Sequence, residues 1–248
     1  MIKRIEFFPS NFEEIKKFVD KNRKKIVFNF FNSHSVYSFV RSGSFRDFIS
    51  DESVNKANFI DGFVVSFVLS LKEFRKISRL QGPKFTDLFL KARDVKGRHF
   101  FIGFEDKDLK FISEKYGLDP KMISGYNPGY IKDEKFPEKE VERISGFINK
   151  HKADYVWIGV GSPKQELLSS DLYSRISSRY LFNIGAALDF VSEKKKRAPK
   201  IFQSLGIEWL YRLFTDFSHS RKKVRMSLIG SIYALSRIKM KNEKDTFP

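Results

Sequence analysis

Short apolar runs alternate with stretches of helical periodicity along most of this chain. Lys24–Phe31 (KKIVFNFF), Asn58–Ile60 (NFI), Arg98–Phe104 (RHFFIGF), Lys121–Tyr126 (KMISGY), Tyr155–Ile158 (YVWI) and Tyr180–Ile184 (YLFNI) read as strands, the last of these closing the series. Between them, Val36, Phe39, Val40, Phe45, Phe48 and Ile49 recur at helical spacing, with a break around Gly43. Phe63–Leu71 is apolar enough to begin a buried helix or to continue a strand. Arg79–Asp87 is a loop marked by Gly82 and Pro83, after which Phe85, Leu88, Phe89 and Ala92 return to helical spacing. Glu105–Tyr116 and Glu138–Lys150 complete the helical set. Apolar strands alternating with helices predict an α/β fold, a Rossmann-like parallel sheet with helices on both faces.

The pattern changes at Lys194–Arg197 (KKKR) and Pro199. Beyond this boundary it is all helical. Ile207, Leu210, Tyr211, Phe214 and Phe217 share one face, and Leu228, Ile229, Ile232, Tyr233 and Leu235 lie in a second helix that starts with Arg221, Lys222, Lys223 and Arg225. The expected organisation is an α/β domain over residues 1–196 and a basic amphipathic helical appendage over residues 197–248. Basic helices with apolar faces suit a membrane surface; docking on the α/β domain or on another subunit suits the same periodicity.

One stretch organises the α/β part, Tyr155–Leu167 (YVWIGVGSPKQEL). Its strand turns through Gly159 and Gly161 into a helix. Ser162 suits the N-cap, Pro163 the first helical position and Gln165 the third, so Ser162 and Gln165 are expected to form a capping box. A strand, a glycine turn and a helix N-terminus present backbone N–H groups to a phosphate or pyrophosphate. An ordinary strand-to-helix turn accounts for the local pattern equally well.

Composition narrows the classes. The 248 residues, 41% of them hydrophobic, can build a sizeable core. The chain has no cysteine, which excludes disulfides, a cysteine nucleophile and a thiolate zinc site. The first residues, MIKRIEFFPSNFEEIKKF, carry charges throughout and form no signal peptide, and no run reaches the ~18 apolar residues of a spanning helix. The expectation is a cytoplasmic protein, peripheral on the inner face of the membrane if it meets one. Of the net charge of +17, residues 194–248 carry +10, from 14 Lys and Arg against 4 Asp and Glu. A basic end segment implies an anionic partner: nucleic acid, acidic lipid headgroups or a phosphorylated substrate.

Ligands of an open parallel sheet bind beyond the carboxyl ends of its strands. The residues there are Asn32, Ser33 and His34, Asp61, Gly103, Gly125 and Tyr126, Gly159–Glu166, and Gly185–Asp189. Asp61, directly after the NFI run, is placed to be a base; a turn Asp before Gly62 is the ordinary alternative. His34, His99, His151 and His219 show no metal-ligand spacing. Asp106–Lys107–Asp108 has the form that some nucleotide-sugar transferases use for a divalent metal, but acids at a helix start explain it as well. No glycine-rich dinucleotide fingerprint and no P-loop signature follows any expected strand, which argues against those two enzyme classes.

GVGSPKQE at 159–166, NIGAALDF at 183–190, RAP at 197–199 and GIEWLYRL at 206–213, with FIDG at 59–62 and FFNSHS at 30–35, resemble the WecG/TagA/CpsF glycosyltransferases (glycosyltransferase family 26) in order and spacing. The resemblance runs from about residue 24 to 225 and departs from the family pattern at Phe30, at Gly82–Phe85 and at Asp216–Phe217. It implies an inverting, metal-independent transferase that moves an N-acetylhexosamine-type sugar from a UDP-sugar to a polyprenyl-diphosphate-linked glycan in cell-surface polysaccharide synthesis. It further implies an anionic membrane surface as partner and no nucleic acid, and it is compatible with a homo-oligomer. No cofactor is expected beyond the UDP-sugar itself. By position, Asp61 would be the catalytic base. Asn32, Gly159, Gly161, Ser162, Gln165, Glu166, Gly185 and Asp189 would hold the donor and its nucleotide, and Arg212, Arg221 and Arg225 of the appendage the diphosphate or acceptor. A non-catalytic basic nucleotide- or nucleic-acid-binding module is the other class that fits the charge, but it leaves Asp61 without a role.

Overall fold

The computed structural model describes residues 5–9, 11–22, 24–92, 97–185, 187, 191, 233 and 238–241. In chain order the elements are β1 (Ile5–Phe7), α1 (Phe12–Lys21), β2 (Ile26–Phe31), α2 (Ser33–Arg41), α3 (Gly43–Ser50), β3 (Lys56–Ile60), α4 (Phe63–Lys72), α5 (Gly82–Lys91), β4 (His99–Ile102), α6 (Asp106–Tyr116), β5 (Ile123–Tyr126), α7 (Glu138–His151), β6 (Tyr155–Ile158), α8 (Lys164–Tyr173), β7 (Tyr180–Asn183) and β8 (Ile238–Met240). Six strands form one parallel sheet in the order β3-β2-β7-β6-β4-β5. β1 and β8 form a separate parallel pair. The α/β expectation with a Rossmann-like parallel sheet holds.

Strands buried on both faces divide their side chains between two cores. Val27 and Phe31 of β2 enter the first, with Val36, Phe39 and Phe45 of α2 and α3, Val65 and Leu69 of α4, and Leu168 and Leu172 of α8. Phe28 and Phe30 enter the second, with Ile15 of α1, Phe85 and Phe89 of α5, and Ile112 of α6. The second core is dense in rings: Trp157 and Phe182 stack at 4.4 Å, and Phe28 and Phe182 at 5.1 Å. The Trp157 Nε1–H donates to Nδ1 of buried His99 (3.0 Å), and burial lowers the His99 pKa to about 4, so this histidine is a neutral core residue.

One open reading is decided, and two elements differ from the sequence expectation. Phe63–Leu71 is helical, because only one side of it (Val65, Leu69) enters the core. α5 starts at Gly82, with Pro83 in its first turn, so the loop ends at Gln81. β8 lies beyond Pro199, where only helices were expected. Its buried–exposed–buried pattern mirrors that of β1, and three residues are too few for a period to show in sequence. The rest of the expected appendage, with its two helices, lies outside the described residues apart from Tyr233 and 238–241.

Candidate active site

The connection after β2 runs into α2 on the first core, whereas β7 leads to Ala187 on the second. These two strands are neighbours. Parallel neighbours whose exits diverge to opposite faces leave a crevice at their carboxyl ends, the usual place for a ligand in such sheets. Asn32 and Gly185 stand on its two sides. The flanking strands bring Asp61 at the end of β3 and the Gly159–Glu166 turn at the end of β6.

Backbone geometry fixes the Asp61 side. Phe31 O accepts from the N–H groups of both Asp61 (2.8 Å) and Gly62 (3.1 Å). Asn32 caps α2, its Oδ1 accepting from His34 N (2.9 Å) and Ser35 N (3.1 Å). The N–H of Gly82, first residue of α5, donates to Asp61 Oδ1 at 3.0 Å. Leu80 N–H donates to Ile60 O at 2.7 Å, so the segment before α5 is tied to the end of β3. Asp61 is therefore oriented by the start of a helix that belongs to another part of the chain.

On the other side, Gly159 N–H donates to Ile102 O (3.0 Å), and Gly161 turns the chain with φ of +83° in open space. The expected capping box does not form. The Ser162–Pro163 peptide is cis, α8 begins at Lys164, and Pro163 stands at the N-cap without a side chain that can accept. Gln165 turns inward instead: its Nε2 donates to Glu166 Oε1 (2.9 Å) and to Asn183 O (3.3 Å). Gln165 and Glu166 are 2% and 1% exposed. Burial raises the Glu166 pKa from 4.5 to about 7, with the Gln165 amide acting in the opposite direction. Gln165 Oε1 and Asn183 Oδ1 are buried and find no hydrogen-bond partner among the described residues, while the buried Ser162 hydroxyl stands close enough to the Glu166 carboxyl to favour its charged form.

Beneath the turn runs a polar chain that sequence reading missed. Asn183 Nδ2 donates to Asn29 Oδ1 (2.7 Å) and to Ser169 Oγ (2.9 Å), and Asn29 Nδ2 donates to Asn58 Oδ1 (2.8 Å). The three asparagines are in register on β7, β2 and β3. The signal was in the sequence, one asparagine inside each of the runs IVFNFF, NFI and YLFN, but the spacing along the chain does not reveal that they stack.

The structure thus gathers Asn32, Asp61, Gly159, Gly161, Ser162, Gln165, Glu166 and Gly185 at one end of the sheet. Asp189, Arg212, Arg221 and Arg225 lie outside the described residues. Asp108 is spent on capping, its Oδ2 accepting from Glu105 N (2.9 Å), and Lys107 pairs with Glu105 (2.6 Å). Among the described residues no group of three His, Asp or Glu side chains stands where it could hold a metal ion.

Comparison with known proteins gives the family. The sequence profile of the glycosyl transferase WecG/TagA/CpsF family matches residues 4–245. Two Staphylococcus aureus proteins, from strains MRSA252 and NCTC 8325, are named N-acetylglucosaminyldiphosphoundecaprenol N-acetyl-beta-D-mannosaminyltransferase. Each is 26% identical to this chain over 98% of its length and 89% of theirs.

Proposed function

The chain belongs to the WecG/TagA/CpsF glycosyl transferase family and is a glycosyltransferase, and from that premise we propose that it moves an N-acetylhexosamine-type sugar from a UDP-sugar to a polyprenyl-diphosphate-linked acceptor. The names of the Staphylococcus aureus relatives make N-acetylmannosamine the first sugar to try and an N-acetylglucosaminyl-diphosphate-polyprenol the first acceptor. The observation that carries the reading is Asp61. It is a carboxylate at a strand end, oriented by the Gly82 N–H, across a sheet crevice from two glycine turns.

An inverting transfer needs one group to take the proton from the acceptor hydroxyl as its oxygen attacks the anomeric carbon. Asp61 is the proposed base. The bond to UDP breaks as the new glycosidic bond forms, and the diphosphate leaves with the bonding electrons. That developing charge calls for backbone N–H groups and cations. The turn between Val160 and Lys164 is the proposed source of the former, since the N–H groups of Gly159 and Gly185 donate to Ile102 O and Ile158 O, and Arg212, Arg221 and Arg225, outside the described residues, are the proposed cations. Asn32, Gln165 and Glu166 would shape the donor side, with Asp189 toward the nucleotide. The proposed setting is peripheral, on the inner face of the cell membrane. Among the described residues no helix is long and apolar enough to cross one.

The test is UDP release from UDP-N-acetylmannosamine and UDP-N-acetylglucosamine, with a short-chain N-acetylglucosaminyl-diphosphate-polyprenol as acceptor. Acceptor-dependent release should fall by roughly 10²–10⁴-fold in Asp61→Asn, the size of a general-base contribution. A wild type that neither binds UDP nor turns over a donor, yet retains polynucleotide in a salt-dependent manner, would sink the reading and favour the nucleic-acid alternative.

A further inference from the structure

Two residues beyond Asp61, helix α4 begins a ridge of exposed apolar side chains. Phe63, Phe67, Leu71 and Phe74 follow one another at helical spacing, 37%, 51%, 59% and 96% exposed. The opposite side of the same helix sends Val65 and Leu69 into the first core, so the ridge stands on a packed element. Its presentation is held in place. The Phe63 and Phe67 rings stack at 6.0 Å, and the Arg79 guanidinium lies over Phe63 at 5.7 Å. The turn carrying Phe74 is hydrogen-bonded back onto α4, with Arg75 N–H donating to Ser70 O (3.2 Å) and Ile77 N–H to Ser70 Oγ (2.9 Å). Phe74 itself sits at φ +51°, a conformation that bulky side chains rarely adopt, with its ring outward.

We propose that this ridge is a seat on an anionic bilayer surface, with Phe63, Phe67, Leu71 and Phe74 at the boundary of headgroups and acyl chains. Charge argues for that occupant. Residues 63–79 carry Arg75, Lys76 and Arg79, besides Lys72, whose Nζ donates to Ile238 O (2.7 Å), against the single acid Glu73. Aromatic rings beside clustered cations are the composition of an interfacial helix, whose binding adds buried apolar area to attraction for acidic lipids. A stripe this apolar is otherwise uncommon on the surface of a soluble protein. The choice of a lipid surface rests on the proposed lipid-linked acceptor. Seating α4 brings the Asp61 end of the crevice toward the bilayer, where the diphosphate of such an acceptor would lie.

The test uses the full chain and vesicles of phosphatidylglycerol with phosphatidylcholine, or of phosphatidylcholine alone, read by co-sedimentation. Wild type should partition more strongly onto the anionic vesicles. Phe67→Ser/Phe74→Ser should partition at least tenfold less, and Arg75→Glu/Lys76→Glu should lose the preference for acidic lipid. Both variants should keep the wild-type melting temperature and release UDP with a water-soluble short-chain acceptor within twofold of wild type. Vesicle binding unchanged in the double Phe variant overturns the proposal. So does a shift from dimer to monomer with vesicle binding intact, which would make the ridge a contact between copies of the chain. Ridge-dependent vesicle binding by a protein that turns over no UDP-sugar would sustain the seat while removing the proposed reaction.

Discussion

A Cβ on Gly62 would stand 2.9 Å from the Cα of Asn32 and 3.1 Å from its Cβ. The residue after the proposed base is therefore pressed against the N-cap of α2, and glycine is required there by contact, its φ being an ordinary −78°. Both neighbours hang on one acceptor, Phe31 O, which takes the N–H groups of Asp61 and Gly62. Side-chain bulk at position 62 must push the ends of β2 and β3 apart. Gly62→Ala is expected to cost about 1–3 kcal/mol, the usual penalty for overpacking. It should also lower kcat for acceptor-dependent UDP release, because Asp61 moves with the strand end. Urea unfolding and steady-state kinetics on the same preparation check both effects; full stability with full activity would show that the contact relaxes without consequence.

Gly185 faces Gln165 in a similar way. It adopts φ of +50°, and a Cβ added there would lie 3.3 Å from Gln165 Oε1. The left-handed conformation alone costs a non-glycine residue roughly 1–2 kcal/mol. Gly185→Ala should be less stable by that amount and should disturb Gln165, which is anchored through Asn183 O and Glu166. If this wall holds the donor, the KM for UDP-sugar rises more than kcat falls. Thermal protection by UDP measures it directly, since a ligand that binds only the native state raises apparent stability. Undiminished protection would move the nucleotide away from this turn.

Asn29 is the middle of the buried polar chain and both accepts from Asn183 and donates to Asn58. Asn29→Leu removes both bonds and leaves two buried polar groups short of a partner. Each such group costs about 1–3 kcal/mol, so a loss of roughly 2–6 kcal/mol is expected in urea unfolding. Asn29→Ala would add a cavity to the same loss. A Leu variant as stable as wild type would show that burying the leucine offsets both lost bonds.

What the sequence revealed follows from which forces are local. Six strands and most helices were legible because each buries a continuous or periodic apolar face, and that pattern needs no knowledge of the partner. The turn at Gly159–Gly161 and Asp61 after β3 were legible for the same reason, as strand ends. Contacts between distant segments were not. Nothing in NFIDG announces that the donor to Asp61 Oδ1 is Gly82, 21 residues on. β1 and β8, three residues each, have no period to read and find each other only in space. The capping box failed because local pattern favoured Ser162 and Gln165, while the buried Asn183 carbonyl and Glu166 drew the Gln165 amide inward.

Glu166 gives the last prediction. Its carboxyl is buried beside Gln165 and Ser162, and burial outweighs those two polar neighbours and lifts its pKa from 4.5 to about 7. The native state then holds a proton that the unfolded chain releases near pH 4.5. Between about pH 4.5 and 7 the native form binds more protons than the unfolded one, so stability falls as pH rises through that window and levels off above it. At 1.36 kcal/mol per unit the full loss is roughly 3 kcal/mol. Glu166→Gln keeps the shape and removes the titration. Unfolding free energies of the two proteins, measured from pH 5 to pH 8, should converge at the acid end and diverge in favour of the variant toward pH 8. Parallel curves would mean that Glu166 is already ionised across the range and has found a cation. Activity measured alongside separates two roles. A retained rate in Glu166→Gln makes the residue a support for the Gln165 turn, whereas a lost rate with retained stability makes its carboxyl a direct contact of the donor.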